Sequence, residues 1–287
     1  MLRYLGSMLI VAMALVLTCA LAAILGADLV QRMSAVGWRL TVFDAVGAVG
    51  RQPPVLAAAL EDADSGKPAP RVRLALRLDN DWTGWMTTNS AGLAGVRQVA
   101  GLPAGMYGFR AGLSELHPRL DVWSAGTVWI WPADAPVVWI DSSALVPVGG
   151  KAEDLPRRAL LPAAAVAADA LKVLATGRRP VYLVASQAAE YGPVRRRIRA
   201  LGLPLGPAFW IMPGREAKYL NDLAQTWPRV DAAAVCSPEL LKAARQAKAP
   251  VRQVPSAGDS GAAAQRAWRE VSDPMSMPSG GGRIPGR

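Results

Sequence analysis

The sequence predicts an α/β protein: a parallel sheet with crossover helices over residues 136–255, preceded by a small β-sandwich over 70–132 and an N-terminal transmembrane helix. Three observations carry that expectation. An uncharged apolar run fills residues 8–27. Period-two alternation of apolar and charged residues begins at Arg71. From Pro136 onward, short apolar runs alternate with Ala- and Leu-rich stretches of helical length.

The N-terminal element comes first. No charge occurs between Tyr4 and Ala27, and the run from Met8 through Ala27 is long enough to cross ~30 Å of hydrocarbon as a helix. Residues 1–30 therefore read as a membrane anchor or a signal segment. Small-residue exits at Ala20-Leu21-Ala22 and Leu25-Gly26-Ala27 fit cleavage. The length of the run and its single early charge, Arg3, favour a retained single-pass anchor with the soluble part exported. Residues 31–69 read as a juxtamembrane connector ending in the polar turn Glu61–Pro68.

In the next segment Val72, Leu74, Leu76 and Leu78 alternate with Arg71, Arg73, Arg77 and Asp79, the pattern of a half-buried strand. Thr87-Thr88-Asn89-Ser90-Ala91-Gly92 and then Leu102-Pro103-Ala104-Gly105-Met106-Tyr107-Gly108-Phe109-Arg110-Ala111 predict a tight turn and a turn-fed strand. This pair of segments resembles the prealbumin-like or carboxypeptidase-regulatory-like β-sandwich modules, with Asn89 where their pattern has Asp. Seven of the ten tryptophans lie between Trp38 and Trp139. Such rings can form an aromatic binding face, but packing of Trp82, Trp85, Trp129 and Trp131 into a small core is the stronger expectation.

Residues 136–255 alternate strand and helix. Pro136–Ile140 is a buried strand ending at Asp141, and a helix follows from Pro162 to about Thr176. Further strands are read at Pro180–Ala185, Ala208–Met212 and Ala232–Val235, with helices between them, one carrying Arg195, Arg196, Arg197 and Arg199 and another Lys218. No Gly-rich phosphate loop follows any strand. Residues 256–287 form a terminal helix and a Pro/Gly/Ser-rich tail.

Composition narrows the chemistry. Residues 1–150 carry 11 Lys+Arg and 11 Asp+Glu, whereas residues 151–287 carry 21 and 11, so the whole net charge of +10 lies in the second half. An anionic ligand or lipid headgroup fits that surface, as does a plain solvated basic surface; no nucleic-acid partner is favoured. Cys19 and Cys236 provide neither a disulfide framework nor a metal cluster, and the lone His117, followed by Pro118, reads as a turn or surface residue.

The order of the elements after Pro136 resembles the haloacid-dehalogenase-like (HAD) fold, and more narrowly its lipin-like, phosphatidate-phosphatase-like branch. Members keep D-x-D-x-[TV] after the first strand, a Ser or Thr after the second, a Lys on a later helix and acids after the fourth strand. The resemblance implies that Asp141 stands at the nucleophile position, and Ser143 where the acid/base Asp belongs. It implies Leu145 at the Thr/Val position, Ser186 and Lys218 as phosphate-binding residues, and Cys236-Ser237-Pro238-Glu239 in place of the acidic metal loop. Asp141 would then be the one remaining carboxylate ligand for a metal.

Phosphoryl transfer to a carboxylate needs Mg²⁺ and an acid/base group, the latter typically worth about 10²–10⁴-fold. The pattern therefore implies a membrane-anchored, catalytically impaired HAD-like protein that needs no cofactor and binds phosphate-containing ligands. The alternative is a weak Mg²⁺-dependent phosphohydrolase acting on a lipid phosphate or another phosphomonoester.

Overall fold

The computed structural model describes residues 37–79, 83–97, 101–113, 122–146, 162–227, 229–257, 259 and 262–272. The expected span at 8–27, Cys19, His117, Trp82 and the tail beyond Ser272 lie outside the described residues.

Eight strands precede the parallel sheet: β1 (Trp38–Val42), β2 (Ala45–Ala48), β3 (Val55–Asp62), β4 (Arg73–Leu78), β5 (Thr83–Thr87), β6 (Leu93–Arg97), β7 (Gly105–Gly112) and β8 (Trp123–Trp131). They form two sheets, one ordered β1-β3-β6 and antiparallel, the other ordered β2-β8-β7-β4-β5. The second sheet is mixed, because β2 runs parallel to β8 while its other pairs are antiparallel. Alternation builds the layer between the sheets. Leu74, Leu76 and Leu78 point inward with Leu40, Leu56, Leu60, Phe109, Val128 and Ile130, leaving Arg73 and Arg77 outside. Each such side chain, fully buried, contributes roughly 1.5–3 kcal/mol relative to exposure.

The turn before β6 is fixed by Asn89, whose Oδ1 accepts from Ala91 N (2.9 Å) and Leu93 N (3.1 Å). Gly92 follows at φ +70°, and a Cβ there would lie 2.5 Å from the Leu60 carbonyl oxygen, so the position requires glycine.

A five-stranded, wholly parallel sheet follows, in the order β11-β10-β9-β12-β13. Its strands are β9 (Val137–Asp141), β10 (Arg179–Ala185), β11 (Ala208–Ile211), β12 (Val230–Val235) and β13 (Val251–Gln253). The helices are α1 (Pro162–Leu174), α2 (Ala188–Ala200), α3 (Glu216–Thr226), α4 (Pro238–Gln246) and α5 (Ala262–Ser272). Both faces of the sheet are covered. Val138, Ile140, Tyr182 and Val184 pack with Leu171, Ile198 and Trp268, while Val137, Trp139, Val181 and Leu183 pack with Leu220, Leu223 and Leu240. Covering on both sides explains why β9 and β10 read as continuous apolar runs rather than alternating ones.

The expected fold class does not hold. The described chain is mostly β, and two of its three sheets are antiparallel or mixed, so it is not an HAD-like parallel sheet with only a minor sandwich before it. Among the described residues no helix is long and apolar enough to cross a membrane. The physical reason lies in residues 38–62, read as connector, which instead contain β1, β2 and β3. Alanine is depleted in strands, so the Ala-rich stretches of β2 and β3 give little strand signal, yet Leu56, Ala58 and Leu60 are buried between the sheets. The tryptophans also divide differently. Trp131 is buried and Trp129 partly so, but Trp85 is 41% exposed, with the Arg73 guanidinium 4.4 Å above its ring.

The two halves are joined at Phe43 and Asp44, between β1 and β2. Phe43 stacks on Trp210 of β11 at 4.2 Å and meets Tyr191 of α2 edge-on at 5.0 Å. Asp44, buried, accepts from Thr127 N (2.9 Å), Ala208 N (3.1 Å) and the Arg195 fork at Nη2 (2.6 Å) and Nε (3.2 Å). Tyr191 OH accepts from Asp44 N (2.8 Å) and donates to the Ala208 carbonyl (2.7 Å). The Asp44 amide and carboxylate are thereby partnered across the two halves, by Tyr191 and by Ala208 and Arg195. Burial pushes the Asp44 carboxyl above the usual carboxylate range, opposed by Arg195 and the two amides.

Candidate functional site

Ligands of open parallel sheets bind outside the carboxyl ends of the strands, where the strand order reverses. Here the chain moves from β9 to β10 and β11 on one side, then returns to β12 and β13 on the other, so the reversal lies between β9 and β12. Asp141 ends β9, and Cys236 and Ser237 follow the end of β12.

The crevice between them is closed by hydrogen bonds. Asp141 Oδ1 accepts from Ser143 N (3.0 Å) and Ser143 Oγ (2.5 Å). Asp141 Oδ2 accepts from Cys236 N (3.1 Å), Ser237 N (2.9 Å) and Ser237 Oγ (2.8 Å). An ionised carboxylate has about four lone-pair sites. Five N–H and O–H donors fill them, and Asp141 is only 2% exposed. The backbone supports this arrangement, since Asp141 caps the 3-10 turn Ser142–Ala144 and the Ser143 carbonyl accepts from Ala257 N at 2.9 Å.

The Cys236 thiol has two acceptors in reach, Ser143 Oγ at 2.8 Å and Asp141 Oδ2 at 3.3 Å. Burial and the Asp141 charge push its pKa up to about 12. A nucleophilic cysteine needs the opposite shift, so Cys236 is a neutral hydrogen-bonding residue here.

The other sequence-predicted residues do not join this cluster. Ser186 follows β10 at the same edge of the sheet, but its hydroxyl donates to the Gln187 carbonyl (3.2 Å) and its own carbonyl accepts from Trp210 Nε1 (2.9 Å). Lys218 is exposed in the first turns of α3. Glu239 is exposed in the first turn of α4, and Leu145 is buried in the core. The Asp141 set does not fit Mg²⁺, which requires several oxygen ligands in octahedral array. Its two oxygens are occupied by donors, and among the described residues no three His, Cys, Asp or Glu side chains stand where they could hold a metal together.

Two features escaped the sequence reading. Cys236 and Ser237 hold Asp141, and the one signal of this was Ser237-Pro238, a helix-start pattern. Ser237 does sit at the N-cap of α4 yet makes no side-chain capping bond there, its hydroxyl being donated to Asp141. The Asp44–Arg195 pair, 151 residues apart in sequence, left no local signal.

No family model matches the chain, and no curated protein matches it. Among solved structures it is similar to a carbohydrate acetylesterase of Xanthomonas citri at 17% identity and TM-score 0.22, over 33% of this chain and 18% of the esterase. It is also similar to the periplasmic chaperone SfaE at 7% identity and TM-score 0.20, over 36% of this chain and 66% of the chaperone. At these scores neither likeness bears on the fold or the function.

Proposed function

We propose that this chain is a non-catalytic protein that binds phosphate-containing ligands, and that Asp141 serves as a structural tie at a closed switch point. The observation that carries the first part is the saturation of Asp141 by five donors from Ser143, Cys236 and Ser237. A nucleophilic carboxylate must present a lone pair to phosphorus, with a metal to neutralise the phosphate and a second group to move the proton. Asp141 has neither a free lone pair nor such partners. The excess of 21 Lys+Arg over 11 Asp+Glu in residues 151–287 supports the anionic ligand.

The test is turnover of a phosphate monoester by the full chain with and without Mg²⁺, beside binding of the same compound. Binding without Mg²⁺-dependent turnover is expected. Turnover that vanishes in Asp141→Asn would establish the weak phosphohydrolase instead.

A further inference from the structure

A cleft of about 510 Å³ opens between β1, the first residues of β8 and α2. It shares no residue with the Asp141 cluster. Its walls include Arg39, Ser124, Arg195, Arg196 and Arg199, and no acidic residue lines it among the described residues.

The four guanidinium groups are differently committed. Arg39 bonds Glu61 Oε1 and the Ala63 carbonyl, each at 3.1 Å. Arg195 is held from below by Asp44 and donates to the Ala125 carbonyl at 2.8 Å. Arg199, one helical turn further along, is about half exposed, reaches Thr127 Oγ1 at 3.3 Å and stands 3.8 Å from Asp44. Arg196 is exposed and pairs with no acid among the described residues. Asp44 and Glu61 thus neutralise two of the four charges, leaving Arg196 and Arg199 in excess. Like charges at i and i+4, as at Arg195 and Arg199, repel each other, and an anion between them relieves that repulsion. Arginine presents a fork of N–H groups matched to phosphate oxygens. A phosphate monoester, with charge of about −1.5 to −2 at neutral pH, balances the two excess cations. The volume lies in the range of small-ligand sites, ~300–1,000 Å³.

We propose that this cleft binds the phosphate group of a phosphate monoester, with Arg196 and Arg199 as ligands above the Arg195–Asp44 pair. The proposal rests on the phosphate-binding reading above and moves the site away from Ser186 and Lys218. The phosphate can belong to a soluble metabolite or to a lipid headgroup.

Calorimetry on the full chain in neutral-detergent micelles separates these cases, with glycerol 3-phosphate as one titrant and phosphatidate in mixed micelles as the other. Binding of either, weakened at least about tenfold in Arg196→Ala/Arg199→Ala and unchanged in Lys218→Ala, is the expected result. The titrant that binds identifies the source. Arg196→Ala alone serves as a second variant, because Arg196 touches neither Asp44 nor Thr127 and its loss leaves the fold intact; it should also weaken binding. Binding lost in Lys218→Ala but kept in the arginine variants overturns this site and spares the phosphate-binding reading. Absence of binding to both titrants overturns both.

Discussion

Ser237 reaches across the mouth of the crevice to Asp141, placing its backbone N–H and its hydroxyl on the same oxygen, Oδ2, at 2.9 and 2.8 Å. The carboxylate therefore joins the ends of β9 and β12 at the point where a parallel sheet would otherwise open to a ligand.

Removing that carboxylate leaves five donors facing a void. Asp141→Ala should destabilise the protein by on the order of 3–5 kcal/mol, the range for breaking a buried, charge-assisted network. Asp141→Asn, which keeps one acceptor oxygen, should lose less. Denaturant unfolding of the three proteins checks the order; equal midpoints would show that the network carries no stability.

Ser143→Asp, the substitution that would rebuild an acid/base position, should not restore activity. Ser143 Oγ lies 2.5 Å from Asp141 Oδ1, so the new carboxyl group would stand at contact distance from the carboxyl of Asp141. Two carboxylates so placed cannot both ionise without cost. The expected outcome is a lower unfolding midpoint and no Mg²⁺-dependent turnover.

Cys236 gives a pH signature. Its pKa rises from an ordinary 9.0 to about 12 in the folded protein, so its neutral form is favoured there. That contribution is fully present below pH 9 and is lost as pH rises through the folded value. Wild type should therefore lose stability relative to Cys236→Ser between about pH 9 and 12. In a Cys19→Ser background, iodoacetamide should label the native protein at pH 8 far more slowly than the unfolded chain. Equal rates would contradict the buried, neutral thiol.

Asp44, itself anchored by Thr127 of β8, ties the strands that precede the parallel sheet to that sheet's domain through Arg195 of α2 and Ala208 of β11. Asp44→Ala leaves the Arg195 charge and two amides without that partner, at a cost of about 3–5 kcal/mol. Replacing both Asp44 and Arg195 by leucine should cost less than Asp44→Ala alone, which a double-mutant cycle measures.

Legibility in the sequence followed the physics of each segment. Apolar runs bounded by turn residues marked β9 to β12, because strands covered on both faces need continuous hydrophobicity. Arg73, Leu74, Arg77 and Leu78 marked β4 by alternation. Residues 38–62 give no comparable signal, since their alanines are buried by tertiary packing rather than selected by strand propensity, so local pattern understates the β content of the chain. At the candidate site, residue type exposed the loss of the acid at Ser143. It did not show what holds Asp141, because Cys236 and Ser237 lie about a hundred residues away and meet it only through the pairing of β9 with β12. The Arg195–Arg199 helix was visible as charge, but its pairing with Asp44 arises only in the folded chain.

The central claim is that Asp141 is structural. Its most direct test is Mg²⁺-dependent hydrolysis of a phosphate monoester by the unaltered full chain, measured against Asp141→Asn under the same conditions. The account predicts that both proteins give the same rate as buffer with Mg²⁺, although the variant unfolds at lower denaturant. Turnover by the unaltered protein that disappears in a folded Asp141→Asn variant would contradict it.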